Sequence, residues 1–240
     1  MSLQIMFLLL AVVLQQSPGK ADVLLSEISE MLKEEIVNKH NSIRRQVQPT
    51  ASNMMKMMWN EKAAMSAGRW ASKCQAISSP KEERMVDDVL CGELILETNY
   101  GTLWSDAIES LSRGKNYFQY RTGATDPTKN IHGYTQIVWH NSDQVGCALA
   151  FCPEGTKFIY VCRYCPAGNI KGQLNTPYKA GPPCGDCLGS CEDNLCLLSD
   201  SSCPYRDAYD DCDDLVESFT CGQKFVEEQC LASCKCPRDK

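Results

Sequence analysis

The sequence predicts an α+β protein: one mixed helix-and-strand domain, followed by a small segment held by disulfides rather than by a core. Three observations carry this. Apolar residues recur at helical spacing in three stretches of the first 120 residues. Phe158 to Tyr164 alternates aromatic and β-branched residues with small or polar ones, the pattern of a strand that buries at least one face. The sixteen cysteines are unevenly placed, six between Cys74 and Cys165 and ten crowded between Cys184 and Cys236.

An even, clustered cysteine count means disulfides in a secreted chain and metal or redox centres in a cytosolic one. The N-terminus decides between them. An apolar run from Ile5 to Leu14 ends in Gly19-Lys20-Ala21, with small residues where a signal peptidase reads. The run is too short to span a bilayer. Residues 1–21 are therefore read as a signal peptide, and the mature chain as secreted, extracellular and disulfide-bonded. A net charge of −6 argues against a nucleic-acid partner. No Asn-x-Ser/Thr sequon with a permitted middle residue occurs, so no N-linked glycan is expected.

In chain order, Ile28, Met31, Leu32, Ile36 and Ile43 place a first helix through Arg45. His40 on that helix, beside Asn41 and Arg44, reads as a hydrogen-bonded structural residue rather than a catalytic one. Pro49 to Asn53 is a connector. The methionines at 54, 55, 57 and 58 lead through Trp59 into a core helix and read as core filler. Asn60 caps that helix, which runs through Cys74 with Ala63, Ala64, Ala67, Trp70 and Ala71 on one face. Ser78 to Asp88 is a polar loop around Pro80. Trp104 to Phe118 reads as a third helix, with Trp104, Ala107, Ile108 and Leu111 inward. Gly123 to Lys129 is turn-rich. Tyr134, Ile137, Val138 and Trp139 form a compact apolar run that reads as a strand ahead of Phe158 to Tyr164.

Residues 22–170 thus supply about 150 residues for a single core. Residues 171–198 read as a hinge, because Gly172, Pro177, Gly181, Pro182 and Pro183 interrupt a stretch of low apolar content. Residues 199–240 form the last unit. From Cys184 onward ten cysteines occupy 57 positions with few large apolar residues, so the segment folds only if stapled. Cys184, Cys187, Cys191 and Cys196 have knuckle-like spacing, but no histidine accompanies them and an oxidising compartment favours disulfides over zinc.

Two stretches carry a family resemblance. Tyr134-Thr-Gln-Ile-Val-Trp139 and Tyr160-Val-Cys-Arg-Tyr-Cys-Pro-Ala-Gly-Asn169 resemble the signature segments of the CAP superfamily in the form carried by cysteine-rich secretory proteins. Cys203, Cys212, Cys221 and Cys230, each separated by eight residues and followed by Cys234 and Cys236, resemble that family's ion-channel-regulator module. That module is itself similar to small sea-anemone (ShK-type) potassium-channel toxins. The resemblance implies a three-layer α/β/α sandwich around a small antiparallel sheet. It implies the pairings Cys74–Cys152, Cys91–Cys165 and Cys147–Cys162 in the CAP unit. It also implies Cys184–Cys191 and Cys187–Cys196 in the hinge, then Cys203–Cys236, Cys212–Cys230 and Cys221–Cys234.

Many CAP domains hold zinc between two histidines and two glutamates, and the resemblance carries those positions over one by one. The first glutamate is present as Glu93. The first histidine falls on Ser78, and the second glutamate on Gly114. The second histidine directly precedes Tyr-Thr-Gln in the family, but here His132-Gly133 is transposed. In an extended segment a one-residue shift sends the side chain to the opposite face, and one histidine with one glutamate makes a poor zinc site. The expectation is a degenerate cleft with no metal, no cofactor and no catalytic residue. Ser78, His132 and Glu93 can be drawn as a triad, but no Gly-x-Ser-x-Gly elbow supports it.

The resemblance points to a non-enzymatic binding protein, probing membrane proteins or receptors at cell surfaces as a monomer without a transmembrane segment. Two settings follow from it: the male reproductive tract, in sperm maturation, fertilization and gamete interaction, or venom and salivary secretion. Ion-channel modulation by the C-terminal module is the alternative. There Lys224 beside Phe225 is the one pair similar to a pore-blocking Lys–aromatic dyad. Residues 184–240 carry thirteen Asp or Glu against five Lys or Arg, which opposes plugging of an acidic cation-channel mouth. A CAP-type hydrolase, and lipid or sterol binding between the helices, rest on family analogy alone.

Overall fold

The computed structural model describes residues 24–25, 28–153, 156–187, 190–197, 205, 207–209 and 211–235. Residues 1–21, read as a signal peptide, and the Cys203–Cys236 pairing lie outside the described residues. Helix α1 spans Glu30–Arg45, opened by the Ser29 side chain, which accepts from the Leu32 N–H. Helix α2 spans Glu61–Ala71, and Asn60 Oδ1 accepts from the Ala63 N–H at 2.8 Å. Both caps satisfy donors that a helix start otherwise leaves orphaned. Helix α3 is Trp104–Leu111 and α4 is His132–Ile137. Short helices α5 (Cys212–Phe219), α6 (Lys224–Gln229) and α7 (Leu231–Lys235) build the C-terminal module.

The strands follow as β1 (Leu24–Leu25), β2 (Met58–Trp59), β3 (Met85–Val86), β4 (Val89–Leu90), β5 (Gly92–Thr98), β6 (Phe118–Gln119), β7 (Gly123–Ala124), β8 (Gln144–Cys152), β9 (Lys157–Cys165), β10 (Cys191–Glu192) and β11 (Leu195–Cys196). The central sheet runs β1-β8-β9-β5, its neighbours antiparallel, and β2 joins β8 in parallel. Pairs β3–β4, β6–β7 and β10–β11 are separate ribbons.

Alternation along the strands makes three layers. Tyr160, Cys162 and Tyr164 of β9, with Leu94 and Leu96 of β5, meet α1, α3 and α4 through Ile36, Ile43, Trp104, Ile108, Tyr134 and Ile137. Ile159 and Val161 of β9, Ala148 and Ala150 of β8 and Ile95 of β5 meet Ala67, Trp70 and Ala71 of α2 on the other face. The alanine face of α2 lets that helix lie close to the sheet. Each large aliphatic side chain sealed this way contributes about 1.5–3 kcal/mol.

Disulfides link Cys74–Cys152, Cys91–Cys165 and Cys147–Cys162 within this sandwich, Cys184–Cys191 and Cys187–Cys196 after it, and Cys212–Cys230 and Cys221–Cys234 in the C-terminal module. Each contributes about 2–4 kcal/mol, chiefly by constraining the unfolded chain. The three sulfur ligands that cluster at Cys184, Cys187 and Cys196 are thereby committed to disulfides.

Two sequence expectations about secondary structure need correction. The run Tyr134–Trp139 is not a strand: it lies in α4 and the turn that ends it. Tyr134, Ile137 and Val138 stand at i, i+3 and i+4, which is helical spacing, and all three are buried in one cluster. The third helix stops at Leu111 instead of Phe118, where a 3₁₀ segment takes over from Arg113 to Tyr117. There the Ser112 hydroxyl donates back to the Glu109 carbonyl at 2.9 Å. Contacts also run from the described part of residues 171–198 to the sandwich. Tyr178 and Leu195 are buried in the main core, and the Cys196 N–H donates to the Met54 carbonyl. Two anchors and two disulfides suffice to dock a stretch whose composition is otherwise loop-like.

Candidate functional site

Of the positions that the resemblance assigns to a cleft, Glu93 carries a carboxylate, and the structure gives that carboxylate to an internal partner. In β5, Leu94 and Leu96 face α1 and α3, so Glu93 and Ile95 face α2. Register places Glu93 directly opposite Arg163 of β9. Arg163 Nη1 donates to Glu93 Oε2 and, at 3.0 Å, to Ser79 Oγ. The Ser79 N–H donates to Glu93 Oε1 at 2.8 Å, and its hydroxyl to Oε2 at 2.7 Å. Arg163 Nε reaches the Ser66 hydroxyl on α2 at 3.3 Å. Both charged side chains are sealed, at 0% and 2% exposure. Burial pushes the Arg163 guanidinium down from its ordinary value, with the Glu93 charge opposing.

Of the other positions, Gly114, His132 and Gly133 lie in a different layer. Ser78 is exposed, beside Ser79 on the α2 side. Gly114 and Gly133 form the contact between the 3₁₀ segment after α3 and the start of α4. A Cβ on Gly133 would sit 2.1 Å from the Leu111 carbonyl oxygen, and one on Gly114 2.8 Å from the Asn130 oxygen and the Ile131 Cα. Glycine lets these backbones touch, which fills the space that ligating side chains would need. His132 is exposed on the first turn of α4. Its carbonyl accepts from Asn169 Nδ2 at 2.9 Å, and Asn169 Oδ1 accepts from the Thr135 hydroxyl at 2.6 Å. The signature segments at 132–139 and 160–169 are thus stitched to each other. Because this segment is helical, the one-residue transposition turns the side chain by about 100° around the axis rather than flipping it across a strand.

The residues present do not fit a zinc site. The one carboxylate is engaged by Arg163 and Ser79, two positions are glycines in close backbone contact, and the histidine belongs to another layer. Ser78, His132 and Glu93 are likewise not brought together as a triad.

A second buried cation was read from sequence only as a neighbour of His40. Arg44 is 1% exposed and donates to the carbonyls of Met55, Ile137, Trp139 and His140 at 2.7–2.9 Å. It joins α1 to the turn that ends α4. Burial pushes it down to about 9, with Asp143 opposing. His40 is fully buried. Its Nδ1 donates to the Ile36 carbonyl at 2.7 Å, which leaves Nε2 to accept from the Tyr164 hydroxyl at 2.9 Å. Of the methionines, Met54 and Met57 are core, while Met58 is 43% exposed.

In the C-terminal module, Cys212, Val226 and Cys230 make a minimal core, with Tyr209, Leu215 and Val216 against it. Lys224 is largely exposed and lies 3.8 Å from Glu228. Its neighbour Phe225 is also exposed, tilted against Tyr209 at 5.7 Å between ring centroids.

A layered α/β/α sandwich carrying three internal disulfides, with a stapled C-terminal module behind it, defines a CAP-type architecture. Comparison with known proteins agrees. The profile described as "Cysteine-rich secretory protein family" matches residues 37–164, and a second, described as "Crisp", matches residues 184–240. The cysteine-rich venom protein helothermine of Heloderma horridum horridum is 41% identical over 236 residues, covering 96% of each chain. The crystal structure of Na-ASP-1 superposes with a TM-score of 0.60 at 25% identity, over 76% of this chain and 49% of that one, so this protein spans about half its length. NaASP2, solved with Zn2+, superposes at 0.58 with 23% identity over 70% of this chain and 96% of its own, a likeness of fold. The chain belongs to the cysteine-rich secretory protein family.

Proposed function

We propose that the mature chain, residues 22–240 after cleavage at Ala21, is a secreted, non-enzymatic, monomeric binding protein that acts on membrane proteins at cell surfaces. The observation that carries this is the state of the cleft: Arg163 occupies Glu93, and Gly114 and Gly133 close the second half. The CAP unit, residues 22–170, then serves as a rigid scaffold with no metal or cofactor. Residues 171–198 attach to it the module of residues 199–240. Sperm maturation and gamete interaction in the male reproductive tract is the first setting.

Ion-channel modulation from venom or saliva is the second reading, and the full-length likeness to a cysteine-rich venom protein favours it. Among the described residues no helix is long and apolar enough to cross a membrane, in keeping with a partner-seeking secreted chain. The test is saturable binding of oxidised 22–240 to intact sperm, alongside voltage-clamp recordings. Binding without current inhibition supports the first reading. Inhibition without sperm binding supports the second, and neither response would overturn both.

A further inference from the structure

We propose that the outer face of α5 in the C-terminal module, ending on Phe219, docks a protein partner that presents an apolar pocket rimmed by lysine and arginine. This deepens the proposed binding role and rests on it.

The face is built by helical spacing. On α5, Cys212, Leu215, Val216 and Phe219 stand at i, i+3, i+4 and i+7. The stripe begins in the module's core, where Cys212 is 2% exposed, and runs outward through half-buried Leu215 and Val216. It ends on Phe219, 57% exposed and past the end of the small core. On α6, buried Val226 is next to Phe225, which is 52% exposed despite its contact with Tyr209. A module with so little core that still leaves two phenylalanines in water is holding back apolar area that folding did not need. Buried aromatics of this kind dominate interface energetics.

Charge selects the occupant. The charged residues of the α5 surface are Asp213, Asp214 and Glu217, and α6 adds Glu227 and Glu228, all exposed, with Lys224 the one basic residue on these two helices. Residues 199–240 carry ten acidic and five basic residues, whereas residues 1–198 carry twenty and nineteen. The negative field is therefore local to the module. It repels an acidic channel vestibule, an anionic bilayer and a second copy of itself, and steers a cationic protein surface toward Phe219.

The test uses the full oxidised chain, immobilised, and two synthetic amphipathic helical peptides with the same leucine spacing, one with lysine and one with glutamate on the polar face. The lysine peptide is expected to bind saturably and the glutamate peptide not to bind. Phe219→Ser, and separately the pair Asp214→Asn with Glu217→Gln, each weaken the lysine peptide about tenfold. Phe219 lies outside the buried cluster, so an unchanged melting temperature is expected; if that variant unfolds, the charge pair carries the test. Equal affinity in the folded variants, or equal binding of both peptides, overturns the inference. So does capture by phosphatidylcholine vesicles, or dimerisation, that Phe219→Ser abolishes. Peptide binding without any cell binding would sink the proposed function and leave this surface standing. Cell binding that ignores both sets of substitutions would do the reverse.

Discussion

Arg163 and Glu93 face each other across β9 and β5 and form an ion pair sealed from solvent on the α2 side of the sheet. Removing one partner strands the other's charge in the interior. Glu93→Ala should destabilise the protein by about 3–5 kcal/mol in urea unfolding. Replacing both by Leu and Met should recover most of that loss, because the pair's desolvation cost disappears with it. A double variant as unstable as the single one would show that the pair contributes more than mutual compensation.

Restoring the family's residue order should not restore its chemistry. His132→Gly with Gly133→His places a side chain against the Leu111 carbonyl, where a Cβ has 2.1 Å. The double variant should lose at least about 1–3 kcal/mol and gain no zinc affinity. Titration calorimetry of the parent should likewise show no isotherm at about 1 μM or tighter. A tight isotherm lost on Glu93→Ala would contradict the assignment of that carboxylate to Arg163.

Arg44 should matter as much as any core aliphatic. Five hydrogen bonds to four carbonyls start on its guanidinium, and Arg44→Ala takes the side-chain donor from all four; Trp139 and His140 keep a backbone N–H, from Ser142 and Met55. A loss of about 3–5 kcal/mol is expected. Arg44→Lys should retain little, since an ammonium cannot reach the same fork of acceptors. A lysine variant with parental stability would show that charge, not geometry, holds α1 to the end of α4.

Stability should fall with acid through His40. Burial pushes its imidazole down to about 4, below the ordinary 6.5, so the unfolded chain takes up a proton that the folded chain refuses. The contribution is complete above about pH 6.5 and is lost as pH falls from there towards 4, amounting to about 3 kcal/mol. Comparing His40→Gln with the parent at pH 7 and pH 4 isolates it from the carboxylates. The parent should lose more stability than the variant over that interval, and parallel losses would rule this assignment out.

Much of the frame was legible in the sequence. Asn60 announced the start of α2, the apolar period placed α1, and alternation from Phe158 to Tyr164 placed β9. The misses have physical causes. A six-residue apolar run fits helix or strand, and only the 134, 137, 138 spacing separated them. Glu93 was visible, but its partner was not, because pairing depends on strand register. One clue was available: Arg163 sits among Val161, Cys162 and Tyr164, and a cation inside a buried strand demands a carboxylate nearby. The resemblance points to Ser78, whereas Ser79 beside it holds Glu93 with both N–H and hydroxyl. Tyr178 and Leu195 were too isolated in sequence to reveal their burial in the main core.

The most direct test of the binding role is a saturation isotherm of labelled 22–240 on intact sperm, run with added zinc, with EDTA, and with Ser78→Ala/His132→Ala. Superimposable curves in all three conditions are predicted for a scaffold that binds by its surface. A curve abolished by EDTA, or by the double substitution, would mean that the cleft itself is the working site.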